Sequence, residues 1–239
     1  MNKESKSYTL LYTMALVMIV GSALAYTAIT LKDRQQANID ADKMRQILAS
    51  VRITPAADSI VESYRHYITD SYVVDASGNR LEGDNAFDVN VGAQMRLPGG
   101  ERELPVYVCT LADGSEKYIL PLYGSGLWGP IWGYVSLDSD AAVVYDAYFA
   151  HQGETPGLGA EIQKPAFSSQ FVGKRIFLDD RFMPVTVVKA GRAPSDGRDY
   201  VDAVSGATIT SKGVADMLDN CLLPYRAFLE NLSRQNQTH

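Results

Sequence analysis

The chain reads as an α+β protein: a mainly antiparallel sheet flanked by helices, preceded by one N-terminal transmembrane helix. Three features predict this. Leu10 to Leu31 is mostly apolar and carries no charge. From Ser71 onward, short β-branched and aromatic runs cluster between turn signals, without βαβ alternation. Near the C-terminus, Val214, Met217, Leu218, Cys221, Leu222 and Tyr225 recur at the spacing of one helical face.

No charged residue stands between Lys6 and Lys32. About 20 apolar residues cross a bilayer as a helix. Ala23-Leu24-Ala25 also resembles a signal-peptide cleavage site, but the apolar run continues through Tyr26 to Leu31, which favours an uncleaved anchor. Lys3 and Lys6 precede the span, and Lys32, Arg34, Lys43 and Arg45 follow it, so charge leaves the orientation open. Arg34 to Val51 is polar with Met44, Ile47, Leu48 and Val51 on one face, a helix continuing until Pro55 ends it. Ile60, Val61, Tyr64, Tyr67 and Ile68 predict a second helix.

Tyr72-Val73-Val74 begins the strands, and Ser77-Gly78-Asn79 is a turn. Val106-Tyr107-Val108 and Tyr118-Ile119-Leu120 flank Asp113-Gly114, a hairpin signature. Further strands are expected at Gly133 to Leu137, Ala142 to Phe149, Arg175 to Leu178 and Val185 to Lys189, with a short helix within Ala160 to Phe171.

The formal net charge of −6 argues against a nucleic-acid partner, which needs a basic face. Three scattered histidines and two cysteines form no zinc or iron–sulfur signature. Cys109 lies in a strand-like run and Cys221 on an apolar helix face, so both read as buried thiols rather than a disulfide.

The chemistry concentrates in Asp202-Ala203-Val204-Ser205-Gly206-Ala207-Thr208-Ile209-Thr210-Ser211, a polar turn leading into the last amphipathic helix. Free N–H groups and the positive dipole end make a helix start a seat for phosphate. Gly206 permits close approach or a positive φ. Thr210 or Ser211 is expected to cap the helix, and Thr208 to present its hydroxyl beside the seat. On these grounds alone, such a turn is most often only a cap.

Two other segments are irregular and glycine-rich. Tyr123 to Tyr134 contains Gly126-Leu127-Trp128-Gly129 and both tryptophans, and reads either as glycines that let backbone approach a ligand beside an apolar Leu and Trp wall, or as a Gly-rich turn with two core tryptophans. His151-Gln152-Gly153-Glu154-Thr155-Pro156-Gly157-Leu158-Gly159 is too broken for a helix or strand. It supplies too few ligands for a metal and does not match a P-loop. By itself it reads as a structured loop.

Asp-x-x-Ser-Gly-Ala-Thr-x-Thr resembles the flavinylation motif of the FMN-binding domain family. In that family a flavin transferase attaches FMN through its phosphate to the motif threonine. The resemblance implies Thr208 as the attachment residue, with Ser205, Gly206, Ala207 and Thr210 around it and Asp202 needed for transferase recognition. With the Gly-Leu-Trp-Gly and His-x-Gly-Glu-Thr-Pro-Gly-Leu-Gly segments, the chain resembles the C-subunit family of the bacterial sodium-translocating NADH:quinone oxidoreductase over nearly its whole length. That implies a flavoprotein relaying electrons from NADH towards quinone, beside other subunits of an inner-membrane complex coupled to Na+ export. It implies residues 1–9 cytoplasmic, 10–31 transmembrane, 32–70 a helical connector and 71–239 a periplasmic FMN-binding domain. Leu127, Trp128, Glu154, Thr155 and Leu158 are expected to flank the ring. No catalytic acid–base residue and no metal ligand is expected, because a relay needs positioning and tuning of its ring. The FMN-carrying G-subunit family of the related Rnf-type complex shares the domain and is the neighbouring alternative. A cofactor-free structural subunit is the alternative from a different class.

Overall fold

The computed structural model describes residues 6–83, 85–179 and 181–236. In chain order the elements are α1 (Lys6–Ala49), α2 (Ile60–Tyr67), β1 (Ile68–Val74), β2 (Arg80–Leu81), α3 (Val91–Gln94), β3 (Leu104–Thr110), β4 (Glu116–Ser125), β5 (Pro130–Leu137) and β6 (Val144–His151). They continue with α4 (Pro165–Ser168), β7 (Phe177–Leu178), β8 (Arg181–Phe182), β9 (Thr186–Val188), β10 (Tyr200–Asp202), α5 (Thr208–Leu222) and α6 (Arg226–Asn236). Three of the shortest helical pieces, Gly159–Gln163, Pro165–Ser168 and Ser169–Phe171, stand where one short helix was expected.

The chain divides into two compact units, Met1–Lys43 and Met44–His239. The first unit holds most of α1, which is long and apolar enough to cross a membrane. In lipid every polar group needs an internal partner. The hydroxyls of Thr13, Thr27 and Thr30 meet that condition by donating back to the carbonyls of Thr9, Ala23 and Tyr26 at 2.8, 2.8 and 3.0 Å.

The second unit takes in the end of α1, so the division cuts the expected 32–70 connector. Ile47, Leu48 and Val51 are buried, and so is Ile60 at the start of α2. α1 stops well before Pro55. Arg52 adopts φ 63°, a conformation glycine usually supplies at a helix end. The Arg52 N–H donates to the Ala49 carbonyl at 3.1 Å, and the Ile53 N–H to the Leu48 carbonyl at 3.0 Å, closing the last turn. The Arg52 guanidinium holds this shape. It donates to Asp146 Oδ2 and the Tyr145 carbonyl, each at 2.8 Å, and lies over the Tyr145 ring. Two further bonds fasten the helix end to β5. The Trp132 indole donates to Gln46 Oε1 at 2.9 Å, and the Ser136 hydroxyl to the Ser50 carbonyl.

The main sheet has six strands in the order β2-β1-β3-β4-β5-β6, and every neighbouring pair is antiparallel. Both faces of its centre are covered. In β3, Val106 and Val108 face one core with Val214, Met217, Leu218 and Cys221 of α5. Tyr107 and Cys109 alternate to the opposite core with Ile47, Val51, Ile119 and Tyr134. Two small pairs complete the fold, antiparallel β7–β8 and parallel β9–β10. β10 was not expected; its three residues carry no alternation long enough to read. Cys109 and Cys221 are free and buried, and burial pushes both thiols up to about 11, so they stay protonated.

Candidate functional site

β10 ends at Asp202, and the chain turns at once into α5. The Ala203 N–H donates to the Val188 carbonyl at 2.7 Å, fixing the turn to β9. Gly206 takes φ +76°, and a Cβ there would lie 2.8 Å from Leu158 Cδ2. The backbone conformation therefore disfavours a side chain here, while the Leu158 tip could move aside for one.

α5 begins at Thr208, earlier than its apolar face alone indicates, and its N-cap, Ala207, contributes no side-chain bond. The expectation that Thr210 or Ser211 caps the helix is corrected. Both lie inside the first turn and are buried, because that side of the helix faces the sheet. Ser211 Oγ accepts the Val204 N–H at 3.1 Å, bracing the preceding turn. The Thr210 hydroxyl donates to Glu154 Oε2 at 2.5 Å. The helix start thus has no side-chain cap and keeps its positive end open for an anion. Ser205, Gly206 and Thr208 are exposed there, and Asp202 is exposed just upstream.

The two glycine-rich loops converge on this start. The Gly126 N–H donates to the Gly129 carbonyl at 2.8 Å, pinching off a tip that carries Leu127 and Trp128. Both are exposed, Trp128 at 69%. In the second loop the Thr155 carbonyl accepts the Leu158 and Ala160 N–H groups at 3.1 and 3.2 Å, and Leu158 lies across Gly206. Thr155 is exposed at the rim. Glu154 sits beneath the surface rather than on it, only 4% exposed, and bonds to both Trp128 and Thr210.

Gly213 lies outside the segments read from the sequence, and Gly159 and Ile209 lie within them without a role of their own. Gly213 packs so closely that a Cβ would overlap the Ser125 carbonyl oxygen, bringing the end of β4 against α5. A glycine inside a helical pattern is the signal that marks such a position. Gly159 lies against Glu154 and Thr210. Ile209, beside Thr208, is 59% exposed.

A cleft of about 420 Å³ opens at the helix start, lined by Ser205, Gly206, Thr208 and Lys212 on one side and by Val187 to Ala190 on the other. Lys212 Nζ pairs with Asp216 at 2.6 Å on the surface, a weak contact. A second cleft, about 550 Å³, lies along α5 near Met95, Arg102 and Asp216 and includes none of the expected site residues. Arg102 is occupied there by the carbonyls of Leu97 and Asn220. The helix start thus brings together an anion seat and the exposed Thr208 hydroxyl, with Leu158 across Gly206, whereas Leu127 and Trp128 are not among the residues lining this cleft. A phosphate fits the seat, and Val187, Val188 and Ala190 give the cleft apolar surface beside it.

The α+β fold, with its glycine-rich loops gathered at an uncapped helix start, is that of an FMN-binding domain protein. Residues 126–223 match the FMN-binding domain family, and that range holds both loops and the threonine. The C subunit of the Na(+)-translocating NADH-quinone reductase of Vibrio anguillarum is 31% identical over 233 residues, with 91% of each chain covered. The Yersinia pestis C subunit is 33% identical over 232 residues, covering 89% of this chain and 87% of its own. The crystal structure of the Parabacteroides distasonis C subunit is 47% identical and superposes with a TM-score of 0.78, covering 83% of this chain and 96% of that one. NqrC of Shewanella oneidensis, at 22% identity and a TM-score of 0.69, shares the fold. The chain belongs to the C-subunit family of the Na(+)-translocating NADH-quinone reductase.

Proposed function

We propose that this chain is the membrane-anchored, FMN-carrying electron-transfer subunit of a sodium-translocating NADH:quinone reductase, with FMN held as a phosphoester on Thr208. The observation that carries the reading is the Thr208 hydroxyl, exposed at an uncapped helix start within the Ser205-Gly206-Ala207-Thr208 turn. Attachment needs an activated flavin donor. The Thr208 oxygen forms a bond to the FMN phosphorus, a phosphoanhydride bond of the donor breaks, and the hydroxyl proton leaves with the departing phosphate or to solvent. Asp202, exposed six residues upstream, suits recognition by the transferase.

When bound, FMN supplies reversible electron uptake and release between NADH-derived donors and quinone. The chain's own residues bind and orient it. Backbone N–H groups of the α5 start would hold the phosphate, and the helix dipole would offset part of its charge. Leu127, Trp128 and Leu158 provide apolar surface for the ring, with Thr155 at the rim. A covalent tether removes the dissociation equilibrium, so a carrier working between fixed neighbours keeps its cofactor. The test is the intact mass of the chain produced together with the transferase. It is expected to exceed the sequence mass by one FMN ester, with the modified peptide containing Thr208. An unmodified mass under those conditions would refute the reading.

We also propose that residues 10–31 anchor the chain in the inner membrane. Residues 1–9 are then cytoplasmic, 32–70 connect, and residues 71–239 form the periplasmic FMN-binding domain. The other subunits of the complex are its partners. Mature protein is expected to begin at or near Met1 and to remain in membranes after carbonate extraction. A mature N-terminus at Tyr26 would show the segment to be a cleaved signal peptide.

A further inference from the structure

Glu154 is a buried carboxylate held between segments that meet only in the fold. Its Oε1 accepts the Trp128 backbone N–H at 2.8 Å, and its Oε2 accepts the Thr210 hydroxyl at 2.5 Å. Glycines make room for it on two sides, since a Cβ on either Gly126 or Gly159 would run into its oxygens. Among the described residues no ion pair reaches it. The nearby His151 ring accepts the Glu154 backbone N–H through Nδ1 and does not neutralise the carboxylate.

A buried charge is costly unless it is hydrogen-bonded, and here two donors and the positive end of α5 support it. The geometry alone does not demand a charge. A glutamine would accept the Trp128 N–H through its oxygen, and the Thr210 hydroxyl could rotate to accept from its amide nitrogen. What only the carboxylate adds is a fixed negative charge, tied to the first turn of the helix that carries Thr208 and to the loop that carries Trp128.

We propose that Glu154 is a positioning residue of the flavin site: it clamps the Leu127–Trp128 loop to the attachment helix and, by its charge, holds the reduction potential of the flavin down. The proposal rests on the assignment of FMN to Thr208. A negative charge in a site of low dielectric opposes the arrival of an electron, so charge near the ring tunes its potential. Either role is separable from folding. Glu154→Gln keeps shape and hydrogen bonds while removing the charge, and Glu154→Ala removes the clamp as well.

The experiment uses the full chain, made with the transferase and purified in detergent. Flavin per chain is read after denaturation, the midpoint potential by redox titration, and the ring environment by flavin fluorescence. Glu154→Gln is expected to keep full flavin content and shift the midpoint to more positive potential. Glu154→Ala is expected to shift it the same way and also to change flavin fluorescence at unchanged flavin content. A flavin-loaded Glu154→Gln chain with the wild-type midpoint would overturn the charge role, whether or not the alanine variant folds. Unaltered fluorescence in a folded, loaded Glu154→Ala chain would overturn the clamp. A wild-type chain without flavin would overturn the FMN assignment and this proposal together.

Discussion

Thr208→Val, produced with the flavin transferase, is expected to run dark under ultraviolet light on a denaturing gel, while the wild-type band fluoresces. The contrast should be all or none, because the ester needs an oxygen that valine lacks. The fold should survive. Among the described residues the Thr208 side chain makes no hydrogen bond, and it is exposed at the first helical position. Valine keeps its shape and β-branching, so the propensity cost is only about a few tenths of a kcal/mol. Thr208→Ser keeps a hydroxyl and is expected to retain part of the flavin. The neighbouring hydroxyls are poor substitutes for a structural reason: Thr210 and Ser211 are buried at 1% and 2% exposure and already bonded to Glu154 and Val204. Fluorescence surviving in Thr208→Val, or a flavin peptide mapping to Ser205, would place the attachment elsewhere.

Gly213→Ala is expected to destabilise the second unit by about 3 kcal/mol, at the upper end of what overpacking costs. In an ordinary exposed helix interior the same change would stabilise by roughly 0.5–1 kcal/mol. The sign reverses because the new methyl overlaps the Ser125 carbonyl oxygen, a backbone atom of β4 that cannot rotate away. Relief requires α5 to lift from the sheet, which opens the core around Val214 and Met217. For a domain of this size the loss corresponds to a fall of about 10 °C in the melting temperature. The displacement also moves Ser125 and Gly126, the hinge of the Trp128 loop, so flavin fluorescence is expected to change with stability. Thermal unfolding followed by near-ultraviolet circular dichroism measures the effect. An unchanged or raised melting temperature would show that the contact has slack.

Much of the fold was legible without coordinates, and so were the segments that meet at the helix start, because their signals are local. The apolar stretch from Leu10 to Leu31, the Asp113-Gly114 hairpin and the apolar face of α5 each follow from neighbours along the chain. Thr208 is likewise named by a contiguous motif. The two loops were recognisable as unusual by their glycine content and tryptophan, and the fold does bring them to the helix start. Thr210 and Ser211 were misread as caps because a hydroxyl near a helix start usually has backbone amides as its nearest partners. Thr210 instead finds a carboxylate 56 residues away.

By itself, the amino-acid sequence determined an apolar stretch long enough to span a membrane, the α+β class, the main strands and the motif that contains Thr208. These depend on period, composition and short spacing. Only the tertiary structure decided that the compact unit begins at Met44, that Glu154 turns inward to join two loops, and that Gly213 is a contact rather than a defect. It also decided that β10 pairs in parallel with β9 and so aims the Thr208 turn. Each of these arises where distant segments compete for the same space or the same hydrogen bond, and a one-dimensional pattern holds no record of which partner prevails.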